Sequence, residues 1–385
     1  MRIGPKRCRQ RRCRFETCNS RYMTLEDIAL TFVPQLGVKG AVHLLRCFGS
    51  AAAVYSASEE ELRVRAELRA DVARSIVGGR GMRDAEREMA YCRSRGIRPI
   101  ASTDDGYPPL LREICDYPAV IYVKGDAEAL TRRSVAFVGT RKMTSYGSRM
   151  CEALMRELAE AAPDTVVVSG LAYGVDAACH RAAVNYGLGT VGVLANVLPA
   201  VTPAAHERLA DSMIAGGGAL VTELNSQTKQ NGRYFVPRNR LIAGMCAATV
   251  VVESPEAGGA MVTAAFADGY DRTLLAVPGR ATDECSRGTN ALIFNRKAQP
   301  VMSARDILHE LMWDVRAESV REKTEADLSD EARGLLRLFD SDPVTMDVLQ
   351  LRSGLALGEL SALLMDMEFD GAVRRVSGNR YEKTI

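Results

Sequence analysis

No window of this 385-residue chain approaches about eighteen uninterrupted apolar residues, so the sequence offers no membrane span. The basic N-terminus is not followed by an apolar stretch, which excludes the usual secretory signal pattern. The ten cysteines are scattered without a C-x-x-C pair. That spacing suits a reducing cytosol better than a disulfide framework, and a cytoplasmic protein is expected. Internal repeats and low-complexity tracts are absent, so a solenoid is not expected. What remains is ordinary for a globular chain: 47% hydrophobic and 25% charged residues, enough for two or three domains.

The net charge of +2 is unevenly placed. Residues 1–22 hold Arg2, Lys6, Arg7, Arg9, Arg11, Arg12, Arg14 and Arg21 against a single acid, Glu16, which leaves about −5 for residues 23–385. Any nucleic-acid affinity of the folded body must therefore come from local patches. Two readings of the leader stay open: a disordered basic tail, or an over-extended start, since Met23 opens the first periodic segment. Cys8, Cys13 and Cys18 lack a nearby fourth ligand for zinc.

Residues 23–90 have apolar residues at helical spacing and predict a small helical domain. Its "QLGVKGAVHLL" is similar to a helix-hairpin-helix turn, with a plain helical bundle as the alternative. Residues 91–125 carry Tyr-Pro steps and Pro108-Pro109, which break helices; "AVIYVKG" is expected to be extended. From about 134 the rhythm becomes strand, loop, helix. Strands are expected at 134–139, 165–170, 190–195, 219–224, 248–254 and 273–279. Continuous β-branched runs alternating with helices predict a parallel sheet covered on both faces. Ligands in such sheets bind beyond the carboxyl ends of the strands. Residues 311–329 read as a charged linker. Residues 330–385 read as three helices and a hairpin around Ser377-Gly378-Asn379, the winged-helix pattern.

Four loops converge on the expected ligand edge. Gly139-Thr140-Arg141-Lys142 ends a strand and precedes a helix. Backbone N–H groups there favour an anion, and Arg141 adds a fork of donors matched to phosphate. This loop lacks G-x-G-x-x-G, so it does not signal a dinucleotide. In "SGLAYGVDAACHR", Ser169, Gly170 and Gly174 bracket a turn into a second helix. Asp176 and His180 share one face of that helix, a spacing open to acid–base chemistry or to simple bracing. The stretch 226–244 holds Lys229, Arg233, Arg238 and Arg240 and no acid, with Tyr234 and Phe235 among them. Cations track a phosphate backbone and aromatic rings stack bases. Finally, Gly258-Gly259 lead into another helix at the same edge.

These loops resemble the bacterial DNA-processing protein A family (DprA, also called Smf). The resemblance rests on "VAFVGTR…YG", "SGLAYGVDAACHRAA", "FVPRNRLIAG", "VVVESPEAGGAMVTAAFA", "AVPG" and "SRGTNALI", and on the lead-in "DGYPPLLREICDYPAVIYVKG". It implies an α/β fold: a Rossmann-like parallel sheet core over 91–310, an N-terminal helical domain of SAM/helix-hairpin-helix type, and a C-terminal winged-helix domain. It further implies single-stranded DNA binding, loading of RecA recombinase during natural transformation, and a homodimer. No catalytic residue, metal or cofactor is expected. By the resemblance Gly139, Thr140 and Arg141 contact DNA phosphates, and Arg238, Asn239 and Arg240 form the family's Arg-Asn-Arg segment. The expected arrangement lays the strand across the sheet edge. Arg141, Lys142, Lys229, Arg233, Arg238 and Arg240 neutralise phosphates, and Tyr234 or Phe235 stacks a base. The sequence departs from the family at "LANVLPAVTPAAH" and at Gly258-Gly259-Ala260.

Two other classes compete. Phosphoribohydrolases of the lysine-decarboxylase-like family share this fold and use "PGGxGTxxE", but "AGGAMVTAAFADG" offers no carboxylate before Asp268. A duplex-DNA regulator would read bases with its third winged-helix segment. That segment carries Glu359, Asp366, Glu368 and Asp370 and no cation, so a protein-contact role is expected instead.

Overall fold

The computed structural model describes residues 23–313, 328–339, 343–369, 372–376 and 380–384. The basic leader, most of the linker and the hairpin tip at 377–379 lie outside the described residues. The chain divides into two compact units, before and after Trp313.

The first unit opens with six helices: α1 (Leu25–Thr31), α2 (Gly37–Phe48), α3 (Ala51–Ser56), α4 (Glu59–Arg65), α5 (Ala70–Val77) and α6 (Met82–Arg95). Local chemistry fixes their ends. Ser58 and Glu61 close a reciprocal capping box on α4, satisfying two otherwise orphaned N–H groups. The turn before α2 needs left-handed backbone at Gln35 and Gly37. Leu30, Leu44, Val54, Leu62 and Ile76 form the bundle's own core. Ile28, Ala85 and Cys92 pack instead against Val120, Tyr122 and Leu220 of the sheet. The helical segment is thereby part of the same unit as the sheet.

The sheet follows, with its helices interleaved: β1 (Arg98–Ala101), α7 (Pro109–Glu113), β2 (Val120–Gly125), β3 (Ser134–Val138), α8 (Ser145–Ala161), β4 (Val166–Ser169), α9 (Val175–Asn185), β5 (Thr190–Val193), α10 (Glu207–Ala215), β6 (Ala219–Thr222), α11 (Phe235–Gly244), β7 (Ala248–Val251), α12 (Gly259–Gly269), β8 (Thr273–Ala276), α13 (Arg287–Phe294), β9 (Gln299–Pro300) and α14 (Ala304–Glu310). The nine strands lie in the order β1-β2-β6-β5-β4-β3-β7-β8-β9. Seven of them, β3 to β9, run parallel. The expectation of a wholly parallel sheet needs one correction: β2 pairs antiparallel with β6, and β1 antiparallel with β2. Side chains alternate between the two faces at the strand period. Val135 and Phe137 of β3 pack under α8 and α9, while Ala136 and Val138 face the side of α11 and α12.

This topology sets the ligand edge. From β3 the chain steps to β4, β5 and β6 in one direction, then returns through α11 to place β7 on the other side of β3. The loops after β3 and β7 therefore part company, opening a crevice between them at the strands' carboxyl ends.

The second unit holds α15 (Asp330–Leu336), β10 (Val344–Thr345), α16 (Met346–Ser353), α17 (Leu357–Phe369), β11 (Val373–Val376) and β12 (Arg380–Lys383). Leu335, Leu349, Leu360, Leu364 and Tyr381 fill its core beside an antiparallel β10-β12-β11 sheet. Three helices and this small sheet make the winged-helix arrangement.

Candidate nucleic-acid interface

The crevice between β3 and β7 is a hollow of about 360 Å³. Its rim is built backbone to backbone. Thr140 N–H donates to the Glu253 carbonyl at 2.7 Å, and Val175 N–H donates to the Thr140 carbonyl at 3.2 Å. That approach requires glycine at 174. Its φ is +78°, and a Cβ there would lie 2.1 Å from the Thr140 oxygen. Behind the loop the buried Glu253 carboxylate accepts from Thr144 N–H and Thr144 Oγ1, and Thr144 in turn caps α8. Gly139 and Thr140 are thus held in place, while Arg141 and Lys142 project as exposed cations. The uncapped start of α12, at Gly258 and Gly259, opens into the same hollow and adds a favourable field for an anion.

Arg141 does not stand alone. Its guanidinium carbon lies 5.6 Å from the centroid of the half-buried Phe235 ring, at the first turn of α11. An exposed cation and an aromatic face, distant in sequence, are side by side. Lys229 and Arg233 remain exposed on the loop before α11, with Arg233 over the Tyr234 ring. The root of that loop is held from the helical segment. Glu88 of α6, buried, accepts hydrogen bonds from Ser226 N–H and Ser226 Oγ, and Asp84 accepts from the Gln227 amide.

Three expected contacts are relocated. The 226–244 stretch is a loop only to Tyr234 and a helix from Phe235 onward. Residues 238 and 240 are two steps apart on that helix and so point about 200° apart. Arg238 turns over the sheet and donates to the carbonyls of Gly170 (2.9 Å) and Val193, with Nε to Asn239 Oδ1. It lines the hollow as a buried wall, and burial pushes its guanidinium down to about 10. Arg240 turns the opposite way. It is buried in an ion pair with Glu223 and lies 3.9 Å from Asp116, so it is not a phosphate contact at this edge. Ser169 is also spoken for: it is buried and donates to the Phe137 carbonyl at 2.6 Å, tying β4 to β3.

Asp176 and His180 do not form an acid–base pair. The Asp176 carboxylate accepts from Gly170 and Ala172 N–H groups. A Cβ on Gly170 would lie 2.7 Å from Arg238 Nη2 and 2.8 Å from Asp176 Oδ2, so the glycine makes room for both charges. Burial raises the Asp176 carboxyl's pKa, and Arg238 opposes that rise. His180 points to β5, where its Nδ1 lies 2.6 Å from Thr190 Oγ1. The Thr190 hydroxyl proton goes to the Val167 carbonyl, so the imidazole carries its proton on Nδ1. Burial pushes its pKa down to about 3, and it is neutral in use.

The sequence reading passed over Tyr173. Its ring is half exposed on the loop after β4 and meets His206 edge-on at 4.9 Å. An aromatic between two turn glycines was the available signal.

Residues 98–312 match the family model of DNA recombination-mediator protein A, and residues 320–379 match the DprA winged helix domain. The chain belongs to the DNA-processing protein A family. It is 31% identical to Protein Smf of Escherichia coli over 72% of this chain and 75% of that one. It is 36% identical to DNA processing protein DprA of Bacillus subtilis over 58% of this chain and 75% of that one. Among solved structures, DNA processing protein A of Streptococcus pneumoniae superposes with a TM-score of 0.65 at 27% identity, covering 75% of this chain and 99% of that chain. DNA processing protein A of Helicobacter pylori, studied for its single-stranded DNA binding mode, gives 0.50 at 26% identity over 57% and 97%.

Proposed function

We propose that this DNA-processing, recombination-mediator protein holds single-stranded DNA across the carboxyl edge of its sheet and delivers it to RecA recombinase during natural transformation. The observation that carries this reading is Arg141 set against Phe235 at the mouth of a hollow fed by a helix N-terminus. Phosphate goes to Arg141, Lys142, the Gly139 backbone and the Thr140 hydroxyl, while Gly170 and Gly174, whose lack of a side chain lets the loops close up, shape the cradle. Lys229 and Arg233 extend the cationic track, Phe235 offers a base its face, and Arg238 and Asn239 form the wall. Binding of this kind is sequence-tolerant, because every base has a π face and every nucleotide a phosphate.

The protein acts in the cytoplasm as a homodimer, which places two such tracks on one strand and raises affinity by effective concentration. The winged-helix unit contacts a protein partner rather than DNA: Leu351 and Met365 are exposed on α16 and α17. A hydrolase reading would need a free carboxylate at the hollow, whereas Asp176 is engaged by two backbone N–H groups and Arg238.

The test is a salt titration of binding to a labelled oligonucleotide, single-stranded against duplex. Tight single-strand binding with a steep salt dependence is expected. Equal, weak binding to both forms would sink the reading.

A further inference from the structure

Tyr234 and Phe235 are neighbours in sequence but meet different surroundings. Phe235 meets Arg141 at the sheet crevice, whereas Tyr234 lines a separate cleft of about 800 Å³. This second cleft lies between the first turn of α2, at Val38 and Lys39, and the start of α11. Its volume falls in the range of small-molecule sites, and its walls are largely apolar.

The polar groups are mixed. Arg240, Asp116 and Glu223 line the cleft together, and Lys39 is exposed at its rim. Two cations against two carboxylates leave no net sign, so the cleft does not select phosphate. A neutral planar heterocycle carrying both donors and acceptors matches it better. Arg240 supplies an independent pointer: its side chain is only 8% exposed, yet Nη1 has no hydrogen-bond partner. A buried donor without an acceptor is costly, and a small turn of the guanidinium towards the cleft it lines would bring that donor to a carbonyl oxygen on a base. Tyr234 supplies a ring to stack on.

We propose that this cleft is a second base-binding subsite, taking one nucleobase of the strand whose backbone crosses the sheet edge at Arg141 and Phe235. The inference rests on the single-strand reading above. It gives the helical segment a share in DNA binding through α2.

Photocrosslinking tests it, with a 4-thiothymidine oligonucleotide bound to the full chain and the attached peptide mapped. Equilibrium binding is measured in parallel. The wild type is expected to crosslink at Tyr234 or in α2. Val38→Trp fills the cleft without touching Arg141 or Phe235. It should abolish that crosslink and weaken binding about tenfold, with the salt dependence kept because no phosphate contact is lost. Tyr234→Leu, which empties rather than fills, should give the same loss. Wild-type crosslinking and affinity in both variants would overturn the subsite. Arg141→Ala is run beside them: if it loses binding while the cleft variants do not, only the subsite fails. If Arg141→Ala also binds as wild type, the parent reading fails. Thymidine monophosphate occupying the cleft, with no crosslink from the strand, would overturn the strand as the source of the base.

Discussion

Arg141 and Arg240 look interchangeable in the sequence, and the structure separates them sharply enough to test. Arg141 is exposed with its guanidinium at the crevice mouth, so Arg141→Ala should leave stability within about 0.5 kcal/mol of wild type. It should flatten the slope of log K against log salt by about 0.7, the value of one lost phosphate contact on a single strand. Arg240→Ala should do the reverse. It removes the partner of a Glu223 carboxylate whose side chain is 15% exposed, and leaves Asp116 nearby with its Tyr270 hydroxyl but no cation. Breaking such a buried pair costs about 3–5 kcal/mol. Where the variant still folds, its salt slope should match wild type. Urea unfolding and salt-dependent binding to an oligonucleotide, measured on both variants, make the comparison. If Arg240→Ala kept its stability and lost the slope instead, the assignment of the two faces of α11 would be wrong.

Four further outcomes are expected. Glu88→Ala removes the acceptor of the half-buried Ser226 N–H and hydroxyl at the root of the cationic loop, costing about 1–3 kcal/mol in all. Strand affinity should fall with it, and unchanged affinity would show the loop needs no brace from α6. Because the folded His180 pKa is depressed from 6.5 to about 3, its stability contribution is present above pH 6.5 and lost as pH falls towards 3. The loss reaches up to about 1.4 kcal/mol per pH unit, and His180→Gln should remove that component from urea unfolding measured across the window. Gly174→Ala must drive a Cβ into the Thr140 carbonyl at φ +78°, so melting temperature and strand affinity should fall together. Deleting residues 330–385 should leave strand binding nearly intact; a large loss in the same titration would assign the winged-helix unit to DNA.

Much of this was legible in the sequence for a physical reason. Strands β3 to β8 are buried almost throughout on both faces, so each reads as a short, mostly apolar run flanked by turn residues. The short β9, Gln299–Pro300, and β1, with Pro99 inside it, carry no such run and gave no signal. The antiparallel sense of β2 is a pairing property, which period and composition do not encode. At the site, the loop residues were visible because glycines and cations interrupt apolar runs. The fate of Arg240 was not visible. Its partners Asp116 and Glu223 come from other elements, and nothing local distinguishes a guanidinium aimed at solvent from one turned inward. Ser169 failed for the same reason, its hydroxyl being consumed by the neighbouring strand.

The locking of Thr140 has a consequence for how the strand is held. Both its N–H and its carbonyl are engaged, by Glu253 and Val175, and its hydroxyl accepts from Lys142 N–H at 3.1 Å, so the loop is pinned by backbone and side chain alike. On the proposed reading the cradle's backbone is preorganised, and the ordering entropy of binding falls on the exposed cations and on the nucleic acid. Affinity should therefore track how readily a given strand straightens, so that a hairpin-forming oligonucleotide binds worse than an unstructured one of equal length and charge.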